Sequence, residues 1–498
     1  MSPIMTQTSR TNRPLVLGSI MAAMFMVAIE ATIVSTAMPQ IVGQLGGLQL
    51  YAWVFSAFLL TQTATTVIFG KLADQFGRRP VLLVGIGCFL VGSVLCGFAW
   101  SMPSMIVFRL IQGVGAGAIQ PVGITVVGDL YAAHERGKIQ GYLASVWGIS
   151  AVLGPLAGGL IVQKLHWAWV FWINVPLGIL AAIGFLAFLH EDVRKEKRRI
   201  DVAGAVLFTV AVTALMMGLS ELGQGGGGVA GWLPWAVLAL SGGLFLIQER
   251  RAPEPMIALP LWLRRPIATS NVATLLSGMI IIGLTSFLPM YVQGVMGQSA
   301  LVAGFALTMM VLGWPVAATL AARNLMRLGI RRTLLAGALL MPLGTLAIVA
   351  LRPGLPVPVA GLGSLVVGFG MGLFSTAAII LIQESVGWSE RGAATASNIF
   401  ARNLGSTLGA TVLGGVLNAG LAQAGGSAEV SSEALRRVLD VSGSGAADQV
   451  VRDMLAQALH HTFWALFAIA VLTVMVAWLV PSVTLQAKSD APREAAAE

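Results

Sequence analysis

Apolar residues run along this chain in long stretches, broken by short polar or glycine-bearing gaps. A helix needs about 20 such residues to cross the hydrocarbon core of a bilayer. Fourteen stretches qualify, near 14–38, 52–70, 80–100, 103–128, 138–162, 168–190, 202–220, 232–248, 267–291, 299–321, 333–351, 357–383, 393–419 and 459–480. The pattern predicts an all-α integral membrane protein of fourteen transmembrane helices, with the 202–248 pair interrupted by the glycines at 225–228. Between spans 2 and 3 lies a short charged stretch, Gly70-Lys71-Leu72-Ala73-Asp74-Gln75-Phe76-Gly77-Arg78-Arg79-Pro80. It reads as a tight turn over 70–79 that keeps two helix ends close.

Composition agrees. Of 498 residues 56% are hydrophobic and 10% charged, and the mean hydropathy is +0.84, so lipid must serve as most of the solvent. The start of the chain does not read as a secretory signal, because a full apolar span follows with no small-residue cleavage site. Cys88 and Cys96 share a helix face about 12 Å apart, too far for a disulfide. The net charge of +9 could point to nucleic acid, but its placement argues for topology. With both termini inside, 23 of the 30 Lys and Arg fall in cytoplasmic segments and 5 in outer ones, as loops that stay inside retain basic residues. Arg109 and Arg402 are left within spans.

An internal repeat organises the chain. Residues 108–137 align without a gap on 363–392, with Gly113, Gly115 and Gly117 on Gly368, Gly370 and Gly372, and Glu135-Arg136-Gly137 on Glu390-Arg391-Gly392. Two parallel six-helix halves follow, in the plan of one large transporter class with a cavity between halves. The expected units are 1–190, an inserted helix pair with its linkers at 191–266, and 267–498 with a long outer loop at 420–457. In that loop, residues 431–439 have the pattern of a short amphipathic helix. The charged turn has a decayed twin near 322–332, where Gly329 matches Gly77 but Met326 stands in place of Asp74.

These motifs resemble, in order along nearly the whole chain, those of the major facilitator superfamily, and specifically its fourteen-span drug:H+ antiporters. The turn from Gly70 through Asp74, Gly77, Arg78 and Arg79 looks like the family's loop 2–3 signature. Arg109 with Gln112, Gly113, Val114 and Gly115 is similar to its span 4 signature. Gly148, Gly154, Pro155, Gly158 and Gly159 resemble the antiporter signature of span 5. Glu30 through Val34, with Ala37, Met38 and Pro39, resembles the span 1 signature of the fourteen-span group, where Glu30 replaces the usual Asp. The resemblance implies a latch in which Asp74 engages Arg78, Asp129 and the start of span 13 near Gly392, with Arg136 nearby.

Physical reading of the residues stands beside this. Glu30 is the one acid well inside a span, and an unpaired carboxylate in hydrocarbon costs several kcal/mol, so it should be protonated or face a polar cavity. Proton coupling, cation binding and a structural ion pair all remain open for it. Arg109, at comparable depth, needs acceptors, with Gln112, Gln120, backbone carbonyls and Glu30 as candidates; it tunes Glu30 or simply anchors helices. The glycines of span 5 suit a close, ion-tight contact with the other half, or ordinary packing. Arg402, matching Trp147 at the repeat offset, either faces the cavity, where it would favour anionic or zwitterionic substrates, or snorkels. Polar cavity candidates are Gln62, Gln112, Gln120, Asn174 and Asn398; aromatic ones are Trp53, Trp147, Phe171, Trp172, Tyr291 and Trp314, or else these form interfacial belts.

The resulting expectation is a proton-coupled exporter of amphipathic, cationic or neutral toxic compounds, working by alternating access. The alternative is export of one dedicated metabolite, antibiotic or siderophore. No enzyme is expected, since no span pairs His, Cys or carboxylates, and no phosphate-cradling loop points to ATP. Protons serve as the coupling ion, with no cofactor or metal. The expected setting is a bacterial inner membrane, both termini cytoplasmic, with lipid around a functional monomer, a small-molecule substrate and no nucleic acid.

Overall fold

A computed structural model describes residues 11–131, 133–191, 201–223, 229–252, 259–386, 391–425 and 446–481. Fourteen long helices carry the chain: α1 (Arg13–Leu45), α2 (Tyr51–Phe76), α3 (Arg78–Gly97), α4 (Met102–Leu130), α5 (Ala133–Lys164), α6 (Asn174–Phe188), α7 (Val202–Gly223), α8 (Val229–Arg251), α9 (Arg265–Met290), α10 (Ala300–Leu328), α11 (Ile330–Val349), α12 (Pro358–Glu384), α13 (Arg391–Gly425) and α14 (Ala446–Trp478). Among the described residues, 13 helices are long and apolar enough to cross a membrane, and α7 has a shorter apolar stretch, Ala203–Leu215. The predicted all-α, fourteen-span architecture is thus the observed one. Residues 431–439 lie outside the described residues. The long loop predicted at 420–457 is shorter than expected, because α13 runs to Gly425 and α14 begins at Ala446.

The turn predicted over 70–79 narrows to a single residue. α2 continues to Phe76 and α3 starts at Arg78, with Gly77 alone between them at φ 97°. Charges near a helix end are solvated and do not stop the helix; a positive φ does, and glycine reaches it without strain. Gly329 does the same between α10 and α11 at φ 81°. The two turns share a second device. Arg79 Nη2 donates to the Leu186 carbonyl at the end of α6, and Arg331 donates to the Trp478 and Val480 carbonyls at the end of α14. Among the described residues, the first turn adds an acid that the second lacks. The Glu191 carboxylate accepts from the backbone N–H groups of Arg78 (3.0 and 2.8 Å) and Arg79 (3.1 Å) and from the Arg78 guanidinium. It satisfies orphan donors at the start of α3 and sits where the helix dipole favours an anion.

The glycine triplets of the repeat act alike in the two halves. Added Cβ atoms at Gly113 and Gly117 would strike α2, and at Gly115 would strike α3; at Gly368 and Gly372 they would strike α10, and at Gly370 α11. Small residues let these helices approach backbone to backbone, which membrane packing requires in the absence of a hydrophobic drive between helices.

The halves meet at the end of the bundle away from the Gly77 turn, here the far end. There Tyr51 Oη donates to the Ser286 carbonyl (2.5 Å), Ser56 and Thr411 hydroxyls share a bond (3.2 Å), and Gln293 Nε2 donates to the Thr36 carbonyl (3.2 Å). Asn418 Nδ2 donates to the Gln49 carbonyl at 2.9 Å. Of the span 5 glycines, Gly159 lies against the backbone of Leu301, and Pro155 against Gly304, so these two serve the contact between halves. Gly154 and Gly158 instead abut Thr32 and Ile33 of α1 in their own half, and Gly148 has open space beside it. The inserted helices pack at the side of the α2–α13 seam, where Phe208, Val212 and Phe245 join Leu60 and Ala64, flanked by Phe400 and Leu404.

Replacing Glu191 with Gln should lower stability by about 1 kcal/mol, read from denaturation of the purified protein in detergent, since a charged cap on two amides becomes neutral. Cysteines at Ser56 and Thr411, with Cys88 and Cys96 changed to Ala, should oxidise readily to one disulfide, read as loss of both free thiols. Two persistently reactive thiols would mean that the far end does not rest closed.

Candidate functional site

The site grows from the close approach of four helices. Gly113 lets α4 meet the Phe58 carbonyl of α2, and Gly92 brings α3 against the backbone of Gln112. Those contacts leave a small enclosed space between α1, α2, α4 and the start of α6. Glu30 of α1 and Arg109 of α4 fill it, with an Nη1–Oε1 distance of 2.5 Å, and Glu30 is 0% and Arg109 2% exposed.

Every further polar neighbour serves this pair. Asn174 Nδ2 donates to Glu30 Oε2 at 2.5 Å, and Arg109 Nη1 also donates to Gln112 Oε1 at 2.6 Å. Gln112 Nε2 in turn donates to Ser93 Oγ (2.8 Å). Arg109 Nε donates to the Val54 carbonyl of α2 at 3.2 Å, and its guanidinium carbon lies 4.3 Å from the Phe58 ring centroid. A buried ion pair is tolerable when its donors and acceptors find partners, and these contacts occupy both carboxylate oxygens and three of the five guanidinium N–H groups. Asn174 Oδ1 is left without a hydrogen-bond partner. The open choice for Arg109 among Gln112, Gln120, backbone and Glu30 resolves to three of the four, without Gln120.

The cavity candidates divide. Gln112 and Asn174, expected to line the cavity, are instead sealed in the ion-pair network at 0% exposure. A polar side chain in a span must turn from lipid, and here an ion pair inside one half receives it. Tyr291 is likewise buried, within a π-helical turn and in a tilted ring contact with Phe463. Phe171 is buried, and Trp172 packs on Phe98 and donates to the Val94 carbonyl. Asn398 is held by Asn271 and Thr274 of α9. Trp53 packs at the seam, and Trp314 against the main core. Gln62, Gln120, Trp147 and Arg402 keep accessible surface. Of the latch residues, Gly70 is helical and Gly77, Arg78 and Arg79 stand as described above; the side chains of Asp74, Asp129 and Arg136 and the surroundings of Gly392 lie outside the described residues. Val54, Ser93 and Glu191 were not legible as site residues: one acts through its backbone, one is a lone serine, and one reads as loop charge.

No group of His, Cys, Asp and Glu able to hold a metal occurs among the described residues. The chain is similar over 82% of its length to the multidrug transporter protein MdtP of Bacillus subtilis, at 36% identity and covering 76% of that protein. It is 34% identical to multidrug resistance protein 3 of the same organism, covering 82% of this chain and 81% of that one. Among solved structures, a bacterial homologue of the human lysosomal transporter Spinster, in an inward-facing and unoccupied conformation, superposes with a TM-score of 0.69 at 15% identity, covering 95% of this chain and 97% of that one. The profile of the Major Facilitator Superfamily spans residues 20–410. With the helix count and the repeat agreeing with that match, the chain belongs to the Major Facilitator Superfamily and is a transporter rather than an enzyme.

Proposed function

We propose that this protein is a proton-driven exporter of amphipathic small molecules, working by alternating access between its two halves. The observation that carries the reading is the double attachment of Arg109. One nitrogen holds Glu30, and another holds the Val54 carbonyl, between Tyr51 and Ser56, two α2 residues that bond across to the other half. Any movement of α2 that opens the far end pulls on the acceptor of Arg109. A guanidinium that loses an acceptor re-pairs, and the strength of its hold on Glu30 changes. Proton affinity of the carboxylate is thereby tied to which side of the bundle is closed. The relatives named as multidrug transporters support export of foreign compounds as the task.

In this reading the Gly77 turn faces the cytoplasm of a bacterial cell, where the basic residues of the chain collect, and the closed far end faces outward. Inward flow of a proton down the membrane potential contributes roughly 2.3 kcal/mol per 100 mV, which suffices to drive the halves through a cycle. Asp74, Asp129 and Arg136 serve at the cytoplasmic end as the latch that forms when that end closes. Protons are the coupling ion, and a monomer with its lipid suffices.

Replacing Glu30 with Gln should abolish proton movement coupled to substrate in proteoliposomes, while equilibrium binding persists. Undiminished coupling in that variant would remove Glu30 from the role. Replacing Asp74 with Asn should slow the cycle severalfold with binding intact, measured as efflux rate against affinity; loss of binding would refute the latch.

A further inference from the structure

Three ionisable side chains stand within the spans of the two halves at depth: Glu30, Arg109 and Arg402. The first two neutralise each other in a closed pocket inside the first half. The third is left over, and its position can be worked out from the repeat.

Arg402 on α13 corresponds to Trp147 on α5, 255 residues earlier. On α5 the lipid-facing side is marked by exposed Tyr142, Ile149, Leu153 and Leu160. Trp147 lies two residues before Ile149, about 200° round the helix, and thus on the opposite face. That face carries Gly154, packed on α1, so it points into the bundle. On α13 the side equivalent to Ile149 is marked by Phe400 and Leu404, which α7 covers through Phe208 (ring centroids 5.5 Å from Phe400). Arg402 again lies two residues before Leu404, turned inward. Its own face carries Asn398 and Gly409, both packed on α9.

Both side chains nonetheless keep accessible surface: Trp147 is 38% exposed, and Arg402 is partly exposed. On these faces that surface is turned from lipid toward the interior of the bundle. Arg402 makes no hydrogen bond or ion pair with another described residue. Its neighbours Asn398 and Ser406 direct their own polar groups to Asn271, Thr274 and the Gly278 carbonyl instead. A guanidinium in a span, with five donors and no acceptor among the described residues, needs an anion or water.

We propose that Arg402 is the anchor of an anion subsite in the central cavity, and that the preferred substrates are amphipathic compounds bearing an acidic group such as a carboxylate, sulfonate or phosphate. This rests on the export reading above and sharpens its substrate class. The cationic preference expected from the sequence presumed an accessible Glu30. That carboxylate is sealed and paired, and the charge on Arg402 is positive. The planar fork of the guanidinium matches a carboxylate or sulfonate with two hydrogen bonds, and Trp147 offers an apolar surface to the rest of the molecule from the opposite half.

The test uses the full chain in nanodiscs of neutral phosphatidylcholine, which excludes acidic lipid as the occupant. Two probes are compared by fluorescence polarisation at equilibrium: a rhodamine with a free benzoate and the same rhodamine as its methyl ester. The wild type should bind the acid more tightly than the ester. Arg402→Gln should weaken the acid by about tenfold and leave the ester within about twofold, while Arg402→Lys retains most of the preference. The proposal is overturned if the wild type binds both dyes equally, prefers the ester or does not bind the acid, or if Arg402→Gln weakens both dyes alike. Binding needs no proton gradient, so an intact acid preference with no gradient-driven transport would sink the export reading and leave the subsite standing.

Discussion

The buried pairing of Glu30 with Arg109 is the constraint on which the first half depends. Two opposite charges in a low-dielectric interior are costly to desolvate, and breaking such a pair by removing one partner costs roughly 3–5 kcal/mol. α2 and α6 add hydrogen bonds to the pair and α3 adds one to its neighbour Gln112, so five helices are committed to a single small volume. Their glycine contacts follow from this: only backbones in near contact bring Val54, Gln112 and Asn174 within hydrogen-bond range of one guanidinium and one carboxylate. Among the described residues the second half has nothing comparable. The position matching Arg109 is Ser364, whose buried hydroxyl has no hydrogen-bond partner, and the polar cluster around Asn271 and Asn398 is uncharged. The repeat is therefore symmetric in packing and asymmetric in charge.

How far the sequence alone reveals this follows from what each signal encodes. Apolar length locates helices in lipid directly, so the spans and the repeat were legible. The glycine triplets were legible as close contacts, since nothing else explains three small residues at alternate positions. Glu30 and Arg109 were legible one by one as intramembrane charges, yet their pairing joins residues 79 apart, and no local pattern carries it. Gln112 and Asn174 went astray for a related reason. Polarity within a span dictates a turn away from lipid, and it does not distinguish a cavity from an ion pair. Glu191 illustrates the opposite failure: an acid just beyond a span looks like solvated loop until the start of α3 is found beside it.

The inserted helices acquire a physical role from the same asymmetry. On α5 the lipid face is left bare, with Ile149, Leu153 and Leu160 exposed, while the matching face of α13 is covered by α7. A helix flanked on one side by α7 and on another by α9 has less freedom to rotate than its counterpart. Its inward face, where Arg402 sits, is correspondingly fixed in direction. Four more lipid-facing side chains would have served solubility in the bilayer equally well; what the insertion adds is a stiff backing for the second half at the seam.

The seam and the ion pair meet on α2 because of where its contacts fall. Tyr51 and Ser56 bond across to α9 and α13, and the carbonyl between them, at Val54, is the acceptor that Arg109 uses. One helical turn thus contains both the closure of the far end and a support of the buried charge. If α2 tilts away, a guanidinium N–H loses its acceptor in a site that water does not reach, at a cost of roughly 1–3 kcal/mol. In the proposed cycle that is the same size as the roughly 2.3 kcal/mol that one proton contributes per 100 mV. A link much weaker than this would let protons leak without work, and one much stronger would lock the halves. In the proposed cycle, the strength of a single charge-assisted hydrogen bond to a backbone carbonyl falls in the range where one proton can decide which end is open.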